Sequence, residues 1–259
     1  MEFVTAHYTD AGRIKKVNQD SYALKVVKTP KGKVAFCVVC DGMGGLSKGE
    51  LASKEVTLAF CEWFEEKLIP MLKTNSFSEY MLRRQWSQVV ELENQRLMQY
   101  SRANKLAMGT TATAILIYED KYYGIHVGDS RIYMITRDVD ILTTDHTLVA
   151  SEVETGRITK EEAKVDPRRS VLLQCIGASN VVQPEFIMGE LTENSTFVLC
   201  SDGFTHEITD TEVFDNFAPS HVVDREKLSE SCVDLTRLAM SRGERDNISV
   251  AVINVSIEA

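Results

Sequence analysis

Seven apolar residues, Val34-Ala-Phe-Cys-Val-Val-Cys40, run unbroken into Asp41-Gly-Met-Gly-Gly45. A run this short, rich in β-branched and aromatic side chains and bounded by turn residues, reads as a strand buried on both faces. The chain must therefore cover one of its strands from two sides, and an apolar content of 44% is enough to build such a core. The strand ends on a carboxylate, which is held rigidly there yet faces solvent. Gly42 has no side chain to keep a ligand away from its carbonyl. Oxygen donors of this kind suit a hard cation. A single Asp-Gly after a strand is an ordinary tight turn; the recurrence of the pattern gives it weight.

Residues 1–27 read as an opening β-hairpin with a polar turn, Asp10 to Asp20, between Phe3-Val4 and Tyr22–Val27. Ser47 with Glu50 forms a capping-box pattern. Ala52, Val56, Ala59, Phe60 and Trp63 then follow at helical spacing toward a stop near Pro70. A second helix is expected from about Ser78 to Arg102, with Leu82, Trp86, Val89, Val90 and Leu97 on its buried stripe. Segments 110–118, 122–127 and 131–135 are β-rich and joined by connections too short to hold a helix. They predict an antiparallel meander and argue against a doubly wound parallel sheet. Residues 143–175 turn polar and helix-compatible, as a flap between strands would. Thr196–Cys200 is another apolar strand, ending on Ser201-Asp202-Gly203. A helix over about Asp224–Arg242 precedes Arg245-Asp246-Asn247 and a last strand, Ile248–Ile257. The expectation is a single domain over residues 1–259, with a flap at about 143–175.

A net charge of −9 disfavours nucleic acid, which calls for clustered Lys and Arg. The six scattered cysteines read as reduced thiols. Cys37 and Cys40 form a CxxC, but in an extended run their side chains face opposite sides, and no second pair completes a zinc set. No apolar run approaches a membrane span, and the N-terminus lacks signal-peptide character. A soluble, cytoplasmic protein with no membrane partner is expected, and a monomer, because no exposed heptad or long apolar patch is evident. Gly42-Met-Gly44 approaches a dinucleotide fingerprint, but Ser47 stands at the third glycine position and Asp41 would repel a pyrophosphate.

The acidic residues at strand ends are Asp41, Asp202, Asp129, Asp246 and Asp20. Gathered at one sheet edge they would repel one another, and some would have to take protons. Divalent cations remove that conflict. Oxygen-only ligands favour magnesium or manganese over zinc, and two such ions close together form a hydrolytic clamp.

Asn18-Gln-Asp20, Asp41-Gly-Met-Gly-Gly45 with Gly49-Glu50, Gly109-Thr-Thr-Ala-Thr113, Val127-Gly-Asp-Ser-Arg131, Asp145-His146, Ser201-Asp-Gly203 and Arg245-Asp-Asn-Ile248 occur in this order. The ordered set resembles the PPM family, the metal-dependent, protein phosphatase 2C-like serine/threonine phosphatases, in their bacterial form. The resemblance implies an α+β fold, a four-layer α-β-β-α sandwich of two antiparallel sheets with a metal site at one edge. It also implies two to three Mg2+ or Mn2+ ions. Asp41 would bridge two of them, Gly42 would give its carbonyl, and Asp20, Asp202 and Asp246 would complete the shells, largely through waters. Asp129 would help hold a third ion, with Ser170 as its partner. The implied reaction is hydrolysis of phosphoserine and phosphothreonine in proteins by in-line attack of a metal-bridging water or hydroxide, without a phosphoenzyme, opposing a bacterial Ser/Thr kinase. No Cys-x5-Arg motif supports a thiol nucleophile instead.

Two positions depart from the family pattern. Members commonly carry Arg five residues before the first metal Asp, where it grips the substrate phosphate; here Lys15 stands there, with Arg13 two residues earlier. Lysine brings charge without the planar two-pronged contact. Met43 replaces a histidine that eukaryotic members use as a proposed general acid. A non-catalytic regulator on the same scaffold is the alternative reading, although every implied ligand position keeps its Asp or Gly.

Overall fold

The computed structural model describes residues 1–43 and 48–257. Among these, ten strands make two antiparallel five-stranded sheets. One has the order β1 (Glu2–Asp10), β10 (Ile248–Ser256), β9 (Ser195–Cys200), β6 (Arg131–Ile135), β7 (Val139–Ile141). The other runs β2 (Asp20–Thr29), β3 (Gly32–Asp41), β4 (Ala112–Tyr118), β5 (Lys121–Val127), β8 (Glu185–Glu190).

The unbroken apolar run of β3 follows from its place between two cores. Val34, Phe36, Val38 and Cys40 pack toward helices α1 (Gly49–Trp63) and α3 (Glu79–Asn104). Ala35, Cys37 and Val39 alternate into the layer between the sheets, with Phe197, Leu199, Ala251 and Ile253. Phe36 meets Phe60, Trp63 and Phe64 at ring-centroid distances of 6.5, 5.9 and 5.3 Å. Burying a side chain of that size contributes roughly 1.5–3 kcal/mol. A third core lies beyond the other sheet, where Val198, Cys200, Val250 and Val252 face Leu228, Cys232 and Leu235 of α8 (Arg225–Arg242). Phe204 of α6 (Asp202–Thr205) and Val213 and Phe217 of α7 (Asp210–Phe217) join it. The layers are therefore α-β-β-α.

Several local expectations are corrected. Residues 1–27 are not a hairpin: β1 pairs with β10, while β2 pairs with β3, so segment 11–19 crosses between sheets. The meander also breaks after β5. The outer edge of β5 is taken by β8, and Gly128-Asp129-Ser130 carries the chain across to β6, which pairs with β9 and β7. Gly128 has φ 112° there, and a Cβ on it would lie 2.5 Å from Thr111 Cγ2. The first helix continues past Pro70: after Trp63 come a π-helical turn, Phe64–Leu68, and α2 (Ile69–Lys73). Pro70 sits in the first turn of α2, directly after the π-helical turn. Ser47, the expected cap of α1, and Gly44 and Gly45 of the motif lie outside the described residues, and Lys48 with φ 76° holds the N-cap position. Ser78 caps α3 as expected, accepting from Met81 N at 3.3 Å.

The polar excursion holds α4 (Leu148–Glu154) and α5 (Lys160–Val165) and is tied at its base by bridges between Thr147 and Leu172 and between Thr110 and Ile176. Arg168 pins it internally, reaching both Glu152 and Asp166. Among the described residues no helix is long and apolar enough to cross a membrane.

Candidate metal centre

Strand register brings the acidic residues together. Asp20 opens β2 directly opposite Asp41, which closes β3. In the other sheet Asp202 follows β9 and Asp246 precedes β10; these strands are antiparallel neighbours, so both residues come to one edge. A hydroxyl junction joins the sheets at that edge. Ser201 Oγ and Ser249 Oγ both donate to Asp20 Oδ2, at 2.9 and 2.6 Å.

Asp41 is fixed through its backbone. Its N–H donates to Thr111 Oγ1 at 2.9 Å, and its carbonyl accepts from Thr111 N and Thr110 Oγ1, both at 2.9 Å. Thr111 Oγ1 also lies 2.8 Å from Ser130 Oγ, which couples Asp41 to the crossover carrying Asp129. Gly42 N donates to Gln19 O at 3.1 Å. A Cβ on Gly42 would lie 2.3 Å from Gly49 O and 2.4 Å from Gln19 O, so no side chain fits at that position.

The 11–19 crossover is clasped by Asn247. Its Nδ2 donates to Ala11 O and Val17 O at 2.9 and 3.2 Å, and its Oδ1 accepts from Gln19 N at 2.9 Å. This places Lys15 Nζ 2.8 Å from Asp246 Oδ1. Arg13 is exposed on the same segment, and no ion pair reaches it among the described residues. Ser170 is exposed in the turn 167–170, and no hydrogen bond ties it to Asp129.

The carboxylates feel one another. Burial above all, with the charges of Asp202 and Asp246 added against the two serine hydroxyls, pushes Asp20 up to about 7. Burial, then Asp20, Asp202, Asp129 and Asp246, raises Asp41 well above the usual carboxylate range. Asp129 is raised by burial, Asp202 and Asp145. Asp202 is raised mainly by burial, although His206 opposes the shift. Asp20 Oδ1 and Asp202 Oδ1 are buried with no hydrogen-bond partner among the described residues. Buried oxygens without donors beside mutually repelling carboxylates are what an oxygen-seeking divalent ion would satisfy. The residues fit such an ion.

A second group, His126, His146 and Glu185, brings ligand-type atoms within 4.8 Å of one another. Most of its ligand-type atoms already hold hydrogen bonds within the protein. His126 bonds Thr113 Oγ1 at 2.8 Å and Thr144 O at 3.1 Å, and Glu185 accepts from Thr144 N and Oγ1. His146 Nδ1 accepts from Gly128 N at 3.1 Å and from Gln174 Nε2 at 2.9 Å. Burial pushes His126 down to about 3 and also lowers His146. His126, His146 and Glu185 thus form a hydrogen-bonded brace under the Gly128-Asp129 crossover.

The sequence pattern does not reveal Ser249 and Thr111 as braces, and it assigns His206 no role. His206 is mostly buried, 3.1 Å from Glu244 Oε2 and 3.6 Å from Asp202 Oδ2. Ser201 beside Asp202 was a visible signal; nothing in the spacing flags Glu244.

Residues 11–234 match the family model described as Protein phosphatase 2C. Protein phosphatase PhpP of Streptococcus pneumoniae is 30% identical over 253 residues, covering 96% of each chain. The crystal structure of serine/threonine phosphatase Stp1 from Staphylococcus aureus superimposes with a TM-score of 0.82 at 27% identity, over 99% of this chain and 96% of that one. The catalytic domain of serine/threonine protein phosphatase PstP, solved in complex with two manganese ions, gives a TM-score of 0.76 at 27% identity, over 98% and 99% of the two chains.

Proposed function

The chain belongs to the protein phosphatase 2C family, and from that premise we propose that it is a metal-dependent hydrolase of phosphoserine and phosphothreonine in proteins. The observation that carries this reading is the meeting of Asp20, Asp41, Asp202 and Asp246, with two buried carboxylate oxygens left without donors. These four residues and the Gly42 carbonyl would hold two Mg2+ or Mn2+ ions. Asp129, with Ser170 as a weaker partner, would serve a third. When bound, such a pair supplies a water nucleophile active at neutral pH and absorbs charge on the phosphoryl oxygens.

The protein's own groups set the rest. Cys40, next to Asp41, is buried and pushed up to about 12, so its thiol cannot serve as a nucleophile at neutral pH. The proposed transfer is direct and in line to water, without a phosphoenzyme. Lys15, held over Asp246, supplies a positive charge for the substrate phosphate. Lys15→Ala should raise KM for a phosphothreonine peptide roughly tenfold, about 1.4 kcal/mol, while Lys15→Arg should keep or lower KM. Equal KM in all three proteins would remove Lys15 from the phosphate site.

Six free cysteines, five of them buried, suit a reducing cytoplasm, where the protein would oppose a Ser/Thr kinase. Residues 143–175 would overhang the site as a flap on one catalytic domain. The direct test is release of inorganic phosphate from a phosphothreonine peptide with Mn2+. Turnover that stops on adding excess chelator and returns with Mn2+ is expected; no phosphate release under any metal condition would refute the reading.

A further inference from the structure

Two metal-ligand candidates lie on different elements, Asp202 after β9 and Asp246 before β10. The Ser201/Ser249 junction clasps these segments on the side facing Asp20: Ser201 N donates to Ser249 O at 3.0 Å, and Ser249 N donates to Ser201 Oγ at 2.9 Å. A second link is made of Glu244 and His206.

Glu244 is a buried carboxylate, 7% exposed, yet no Lys or Arg pairs with it among the described residues. Its Oε1 accepts from the backbone N–H groups of Arg245 and Asp246, at 2.6 and 2.8 Å, which fixes the turn presenting Asp246. Its Oε2 lies 3.1 Å from His206 Nδ1. A carboxylate can only accept, so Nδ1 carries the proton. The other ring nitrogen, Nε2, lies 3.6 Å from Asp202 Oδ2, too long for a hydrogen bond but packed against that carboxylate. His206 is one helical turn beyond Asp202, with its own N–H on Asp202 O at 2.9 Å, so backbone and side chain both refer it to that residue. Asp202 Oδ1 is buried without a donor among the described residues.

We propose that His206 and Glu244 are positioning residues that lock Asp202 and Asp246 into one rigid pair of ligands for the divalent ions. The inference rests on the metal-centre reading above. Partners behind metal-binding carboxylates orient them, and their loss typically costs about 10- to 100-fold in metal affinity or activity. A brace that acts only through the metal weakens binding without disturbing the substrate contact or the apo fold.

The test is calorimetric Mn2+ titration of the full chain, alongside kinetics on a phosphothreonine peptide. His206→Ala cuts the connection to Asp202. Glu244→Gln keeps an acceptor for the two backbone N–H groups but can leave an amide facing His206. Each should weaken Mn2+ binding by about tenfold or more, leave KM for the peptide at saturating Mn2+ unchanged, and not lower the metal-free Tm. The double variant should be no weaker than the worse single one, because both break a single chain of contacts. Wild-type Mn2+ affinity in both single variants would overturn the proposal alone. So would a drop in metal-free Tm with affinity retained, which marks a purely structural pair. A wild-type protein that binds no Mn2+ would overturn this proposal and the metal-centre reading together.

Discussion

Asp41→Asn is expected to lower Mn2+-dependent phosphate release by about a thousandfold or more, the scale of losing a central electrostatic element of a site, while the protein still folds. Asp41 lies opposite Asp20 across the β2–β3 pair and feels Asp202, Asp129 and Asp246. Every proposed ligand therefore acts on the same small volume as this carboxylate. Its backbone is held by Thr110 and Thr111, so the side chain cannot be replaced by a shifted neighbour. Asparagine keeps the shape and carries no charge at any pH, so the variant is expected to fold. The check is phosphate release from p-nitrophenyl phosphate and a phosphothreonine peptide, with circular dichroism to confirm folding. A folded variant with wild-type turnover would contradict the assignment.

The second large effect is on stability. Without metal, Asp20 is pushed up to about 7, and Asp41, Asp129 and Asp202 are raised as well, from an ordinary value of 3.8. Between the unfolded and folded values, the folded chain holds protons that the unfolded chain has released. This contribution is fully present below the unfolded value and is lost as pH rises through the folded one. The metal-free wild type should therefore lose Tm relative to Asp41→Asn as pH climbs from about 5 to about 8. Mn2+ replaces the protons, so its stabilisation should be larger at the higher pH. At an ion concentration about a hundred times Kd, one site gives about 2.7 kcal/mol. For a chain of this size that is a rise of roughly 5–10 °C. Thermal unfolding with and without Mn2+ at both pH values decides it. A Tm indifferent to Mn2+, or a larger shift at the lower pH, would contradict the account.

Much of this was legible from the residues. The β3 run announced a strand buried on both faces, and the recurring Asp-Gly at strand ends announced a carboxylate edge. The ordered motifs implied the layered sheet pair and named the carboxylates proposed here as ligands. What failed was pairing. A strand's partner depends on which edges are free, and sequence proximity suggested neighbours for β1 and β2, and for β5 and β6, that the fold assigns to different sheets. Those two mistaken turns are the crossovers at 11–19 and 128–130, and both carry or adjoin candidate site residues. His206 goes unassigned from the sequence for a related reason. It is Glu244, 38 residues further along the chain, that ties it to the turn presenting Asp246. Helix α2 ran on past Pro70 because a π-helical turn let the proline fall in a first turn, which side-chain periodicity does not reveal.

The claim on which the account depends is that Asp20, Asp41, Gly42, Asp202 and Asp246 hold divalent ions jointly. Equilibrium titration of the metal-free protein with Mn2+ tests it most directly. The account predicts saturable binding of about two ions per chain, reduced in number or sharply weakened in Asp41→Asn. Absence of saturable binding, or an Asp41→Asn protein that takes up the ions as the wild type does, would contradict it.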